Sequence, residues 1–95
     1  MHTCVVLVGG TVQCWGNNTE GELGDNTVNN GPPYGSLTPV AVSGVTSAVG
    51  LAAGLEHTCG AMTDGTVQCW GGNEYGELGN GTTTITSVPV TVSGF

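Results

Sequence analysis

The 95-residue chain contains no lysine and no arginine, and its 7 acidic side chains against 2 histidines give a formal charge of -7. Without cations there is no patch to neutralise phosphates, so direct nucleic-acid binding drops out as a function class. Attachment to anionic lipid fails for the same reason. No apolar run approaches the ~20 residues of a membrane span, so membrane insertion is not expected. No signal-peptide pattern is read either, because Met1 leads straight into His2-Thr3-Cys4. Salt bridges to basic side chains are impossible, which leaves apolar burial, hydrogen bonds and disulfides to hold the fold. Aromatic residues are scarce at 5% and charged residues at 7%. Helical periodicity is missing throughout. The length suits one compact domain or a piece of a larger one, not two independent cores.

What is present is a repeat. His2-Thr3-Cys4 returns as His57-Thr58-Cys59, 55 positions further on. Gly10-Thr11-Val12-Gln13-Cys14-Trp15-Gly16 returns as Gly65-Thr66-Val67-Gln68-Cys69-Trp70-Gly71, and Gly21-Glu22-Leu23-Gly24 as Gly76-Glu77-Leu78-Gly79. Positions 2–24 and 57–79 share 15 identities in 23. The first copy then runs five residues longer, within Asn29-Asn30-Gly31-Pro32-Pro33-Tyr34-Gly35, a surface-loop composition. The copies close alike, on Pro39-Val40-Ala41-Val42-Ser43-Gly44 and Pro89-Val90-Thr91-Val92-Ser93-Gly94. Residues 1–44 form the first unit, without an initial strand, and 45–95 the second.

Strand residues dominate, with 13 valines and 14 threonines, while 18 glycines supply turns. Thr58–Met62 and Thr66–Trp70 flank Thr63-Asp64-Gly65 as a hairpin, with glycine where φ must be positive. Val88–Val92 and Ala48–Ala53 read as further strands. A four-stranded unit recurring about every 50 residues, Gly-rich and carrying Trp-Gly, matches a β-propeller blade. The expected fold is therefore all-β: two four-stranded antiparallel blades of a β-propeller-type repeat protein, incomplete as a single chain.

These motifs, A-A-G-x-x-H-T-C, D-G-T-V-x-C-W-G, N-x-x-G-x-L-G and P-V-x-V, resemble the repeat of the regulator of chromosome condensation, closest to its cysteine-bearing bacterial versions. The resemblance covers nearly the whole chain and implies a closed propeller of such blades. It does not imply one task, since family members exchange nucleotide on a GTPase, inhibit β-lactamases or sense ultraviolet light. The light sensor's G-W-x-H-T is here Gly54-Leu55-Glu56-His57, so that activity is not implied. The family's usual G-Q-L-G carries Glu22 and Glu77 instead.

The cysteines form two C-x9-C pairs. If Thr63-Asp64-Gly65 is a three-residue bulged loop, Ala61 faces Val67 and Cys59 faces Cys69, close enough to bridge. The same register joins Cys4 to Cys14. Free buried thiols are the next reading, and a zinc site, lacking C-x2-C spacing, comes last. Bridges point to an oxidising, extracellular setting. Trp15 and Trp70 are expected to pack between blades. His2 and His57 share that structural role, because no nucleophile and orienting acid accompany them. No catalytic residue is assigned and no enzyme is expected.

Glu20, Glu22 and Asp25, with Glu74 and Glu77, fall in equivalent loops and should line one rim, solvated in the first instance. Crowded carboxylates also make Glu22, Asp25 and Glu77 Ca²⁺ candidates, although the closing bidentate Glu of a calcium loop is missing. No other cofactor is implied. Asn17 and Asn80 head formal glycosylation sequons. The reading that results is an extracellular structural or protein-interaction module that assembles with copies of itself into a ring or filament. Its alternative is a lectin-like or calcium-dependent module that binds a protein or glycan ligand through the acidic loops.

Overall fold

Seven strands carry the valine- and threonine-rich runs: β1 (His2–Val6), β2 (Val12–Asn17), β3 (Gly35–Ala41), β4 (Ala48–Ala53), β5 (His57–Met62), β6 (Val67–Gly71) and β7 (Thr86–Thr91). The computed structural model describes residues 1–93, so the Gly94 that closes the second copy lies outside the described residues. Two antiparallel sheets result, β1-β2-β3 and β4-β5-β6-β7. The chain is an all-β pair of blades, the first with three strands and β1 at its edge.

The hairpin turn sets the register. Gly65 takes φ 86°, Met62 N–H donates to the Thr66 carbonyl at 2.9 Å, and Asp64 Oδ1 accepts both Thr66 N–H at 3.0 Å and its hydroxyl at 2.6 Å. Ala61 thereby opposes Val67 and Cys59 opposes Cys69. In the first copy Val6 opposes Val12 and Cys4 opposes Cys14. Both pairs are bridged, as Cys4–Cys14 and Cys59–Cys69, and no cysteine is free. Side chains alternate across a strand, so every blade acquires a disulfide face and an opposite face that carries its tryptophan.

Strands β2 and β6 each shift register after the second cysteine, between Cys14 and Gly16 and between Cys69 and Gly71. The bulge holds Gly16 at φ 107° and Gly71 at φ 104°. A Cβ on Gly71 would stand 2.5 Å from the Glu56 carbonyl oxygen, so close backbone approach reserves the site for glycine. This kink turns the chain off the sheet into the loop that follows Trp-Gly.

The core lies between the sheets. Val12, Cys14, Leu23 and Val42 on one side meet Val45, Ala48, Met62 and Trp70 on the other, with Cys4, Val6, Val40 and Leu51 packed around them. The disulfide face of the first blade is thus covered by the tryptophan face of the second. Residues 30–34, the bulk of the inserted segment, are exposed, and the Tyr34 carbonyl accepts Asn18 N–H at 2.8 Å where the loop returns.

Candidate functional site

The loop after Trp-Gly is built alike in both blades, around the asparagine that opens the N-x-x-G-x-L-G motif and to which sequence reasoning gave no role of its own. Asn18 Oδ1 accepts Leu23 N–H at 3.0 Å, while Nδ2 donates to the Thr27 carbonyl at 2.9 Å and to Asn29 Oδ1 at 2.8 Å. Asn73 Oδ1 accepts Leu78 N–H at 2.9 Å, and its Nδ2 donates to the Thr82 and Thr84 carbonyls at 2.9 Å each. Both amides are fully buried, and a buried amide with its bonds made fixes the backbone around it. The signal was available, because Asn18 and Asn73 sit at matching positions of the repeat. Further along, Glu22 Oε1 accepts Glu20 N–H and Glu77 Oε1 accepts Tyr75 N–H, both at 2.8 Å.

The first of these loops receives the second blade. Trp70 is 0% exposed, and its Nε1–H donates to the Glu22 carbonyl at 2.8 Å. The same carbonyl accepts the Thr58 hydroxyl at 3.4 Å, and Thr58 Oγ1 lies 2.6 Å from His2 Nε2. Which of Thr58 Oγ1 and His2 Nε2 donates follows the imidazole tautomer. Burial, helped by the N-terminal charge and His57, lowers the His2 pKa from its usual value, and Nδ1 is buried without a partner among the described residues. Gly24, at φ 65°, makes room for the indole: a Cβ there would stand 2.8 Å from Trp70 Cδ1.

The acidic residues do not form the single solvated rim that the spacing predicts. Glu22 is fully buried at the junction, because the second blade lies over its loop, while Glu77, with no blade over it, is exposed. Burial raises the Glu22 pKa, and Glu20 and Glu56 push the same way against the Glu20 N–H that it accepts; Oε2 has no partner among the described residues. Glu77 is held below its usual value by backbone N–H groups, its own and that of Tyr75. Asp25 Oδ1 is occupied by Thr27, accepting its N–H at 3.2 Å and its hydroxyl at 2.5 Å. The structure does not bring Glu22, Asp25 and Glu77 together, and among the described residues no three His, Cys, Asp or Glu side chains form a metal-sized group.

Trp15 and Trp70 share a motif but not an environment. Trp15 is half-buried on the uncovered flank of the first blade, beside exposed Thr3 and Val5. On the opposite flank no other strand among the described residues covers the disulfide face of the second blade, where Cys69 is buried and Ala61 exposed. Gly50, Leu51, Ala52, Cys59, Gly60, Ala61 and Val67 line an apolar hollow of about 340 Å³ there. His57 stands half-buried at that end, the counterpart of His2. Of the sequons, Asn17 Oδ1 accepts Thr19 N–H at 2.9 Å, and Asn80 Oδ1 accepts Thr82 N–H at 3.2 Å. Both asparagines are half-buried.

Comparison with known proteins places this geometry. A family model described as the regulator of chromosome condensation (RCC1) repeat matches residues 2–22 and 48–77, and a second model of the same description matches residues 64–95. The chain is 38% identical to the ultraviolet-B receptor UVR8 of Arabidopsis thaliana over 97% of its own length and 20% of that protein. Human WBSCR16 superposes on 98% of the chain with TM-score 0.87 and 27% identity, the match spanning 24% of WBSCR16. Yeast Prp20, solved bound to Kap60, superposes on 99% of the chain with TM-score 0.81 and 22% identity, over 21% of its own chain. The chain therefore spans about a fifth to a quarter of these proteins.

Proposed function

We propose, from the premise that the chain belongs to the regulator of chromosome condensation (RCC1) repeat family, that it is an extracellular protein-interaction module and not an enzyme. The observation that carries the reading is the pair of bare blade flanks, Trp15 with Thr3 and Val5 on one side and the disulfide face of β5 and β6 on the other. Exposed apolar side chains gathered on one face are the kind of surface that binds other macromolecules. Yeast Prp20, which shares this blade geometry, was solved bound to the protein Kap60, which supports a protein-binding reading here. The two disulfides support an oxidising, extracellular setting, because such bridges persist where thiols are not kept reduced. Self-association belongs to the same reading, since the flanks are of the kind that blades present to one another.

The lectin-like or calcium-dependent alternative makes different demands and can be separated in one set of measurements. The folded chain is coupled to a resin, proteins captured from the extracellular fraction are identified, and each is then titrated calorimetrically in pure form. The same chain is titrated with Ca²⁺ and applied to a glycan array. Saturable stoichiometric binding of a purified protein, a second copy included, is the expected result. Glycan or Ca²⁺ binding with no protein complex would overturn the module reading in favour of the alternative.

A further inference from the structure

We propose that Asn30 is a site of spontaneous deamidation, its side-chain amide giving way to a carboxylate in the folded protein. Asn80 stands in the same Asn-Gly dipeptide and is held unreactive by Thr82. The inference is independent of the module reading above.

Asn30-Gly31 and Asn80-Gly81 are the Asn-Gly pairs of the chain. Asparagine is a thermolabile residue, and the chemistry here needs no enzyme. The backbone nitrogen of the glycine attacks the asparagine Cγ, closing a five-membered imide. The Cγ–Nδ2 bond breaks, and the glycine N–H proton leaves with the amide as ammonia. Water then opens either carbonyl of the imide, giving aspartate or its isomer linked through the side chain. One water enters and one ammonia departs, so the balance requires no oxidant or further reactant. Glycine favours the step because no Cβ hinders its nitrogen. A Cβ built on Gly31 or Gly81 would meet nothing within 4 Å, so both glycines stand in open space and the difference lies in the asparagines.

The asparagine must rotate its Cγ onto that nitrogen, and here the two sites part. Asn80 Oδ1 accepts the Thr82 N–H at 3.2 Å and its hydroxyl at 2.8 Å. Thr82 is fixed in turn, because buried Asn73 donates through Nδ2 to its carbonyl at 2.9 Å. Rotation at Asn80 therefore breaks two hydrogen bonds before the attack begins. The chain uses the same turn elsewhere: Asp25 Oδ1 holds Thr27, and Asp64 Oδ1 holds Thr66. Asp25 is the counterpart of Asn80 in the loop that the second blade covers, and it keeps the turn there. The hold on Asn80 thus does not depend on whether a blade lies over its loop.

Asn30 has no such hold. It is exposed in the inserted segment, which the second copy lacks. The Asn18 scaffold grips the segment on either side, through Asn29 Oδ1 at 2.8 Å and the Tyr34 carbonyl at 2.8 Å. Between those grips the Asn30 side chain makes no hydrogen bond among the described residues, so its rotation breaks none. Conversion adds one negative charge to a chain of formal charge -7, in the loop that carries exposed Tyr34.

Peptide mapping by mass spectrometry tests this on the folded chain incubated in mildly alkaline buffer. A glutamate-specific protease separates the sites, because Glu22, Glu56 and Glu77 leave Asn30 in residues 23–56 and Asn80 in residues 78–95. Asn30 should convert about tenfold faster than Asn80 or more, the factor that two hydrogen bonds place on a barrier. Thr82→Val keeps the branched shape and loses the hydroxyl; it should speed Asn80 about three- to tenfold and leave Asn30 unchanged. Thr82→Ser keeps the hydroxyl and should hold Asn80 at the wild-type rate. In the reduced, denatured chain the two sites should convert at similar rates. Equal rates in the folded chain overturn the proposal, as does an Asn30 that stays intact when folded yet converts when denatured. A Thr82→Val variant that is folded by circular dichroism and converts Asn80 no faster than wild type overturns the role given to Thr82.

Discussion

Two tryptophans in one motif allow tertiary context to be measured against sequence. Replacing Trp70 by Ala removes a ring that is 0% exposed. A buried tryptophan takes ~150–250 Å² out of water, worth ~4–6 kcal/mol at 25 cal/mol/Å². Truncations of this kind cost ~3–5 kcal/mol in practice, since neighbours relax partly into the cavity. The bond from Nε1 to the Glu22 carbonyl goes as well, leaving that oxygen only the 3.4 Å contact from Thr58. A domain of this length has roughly 5–14 kcal/mol in total, so the loss runs from about a fifth of the stability to nearly all of it. Its melting temperature should fall by roughly 12–40 °C, taking about 4–8 °C per kcal/mol. Trp15→Ala, at a half-buried flank site with no indole hydrogen bond among the described residues, should cost about 1 kcal/mol or less, as surface changes do. The assay is urea unfolding followed by far-ultraviolet circular dichroism, at concentrations where the chain sediments as a single subunit. Equal losses in the two variants would refute the assignment of the core to the junction between the sheets.

Two further outcomes are expected. Glu22→Gln should stabilise the fold at pH 7: burial raises the Glu22 pKa, so its favourable contribution is complete below the usual 4.5 and is lost as pH rises through the raised value. The His2 contribution runs oppositely, present above 6.5 and lost as pH falls through its lowered value, but it cancels when the variant is compared with wild type at each pH. The Tm difference should therefore vanish toward pH 4, and a constant difference across the range would contradict a buried carboxyl. Reduction should open both bridges, each of which spans a separation of 10 residues, and each should cost ~2–3 kcal/mol. Intact mass before and after reductant reads the bridges, and four alkylatable thiols in the native, unreduced protein would contradict them.

Much of the fold was legible in the chain. The 55-residue offset, the period-2 alternation and Asp64-Gly65 at the turn specify strands, hairpin register and the facing of Cys59 and Cys69, because each rests on local geometry repeated twice. Asn18 and Asn73 were readable in principle, as matched residues in matched loops. Their importance came out only once four bonds were seen converging on each buried amide, a long-range satisfaction that composition does not display.

What the sequence could not separate were residues that are the same in both copies. Trp15 and Trp70, Glu22 and Glu77, and Thr3 and Thr58 have equivalent neighbours along the chain, and local reasoning assigns each pair one role. The tertiary structure divides them, because stacking two blades creates one junction and leaves two flanks. Trp70, Glu22 and Thr58 fall inside the junction and lose water, whereas Trp15, Glu77 and Thr3 stay on the flanks. The carboxylates show the consequence most directly: burial raises the Glu22 pKa, while exposed Glu77, bonded to backbone N–H groups, is lowered. Strand identity, pairing and the cysteine bridges follow from the sequence by itself, since turn geometry and side-chain alternation act over a few residues. Which member of each matched pair becomes core, and which stays outside it, is decided by packing between blades, where burial and desolvation act on residues more than 30 positions apart.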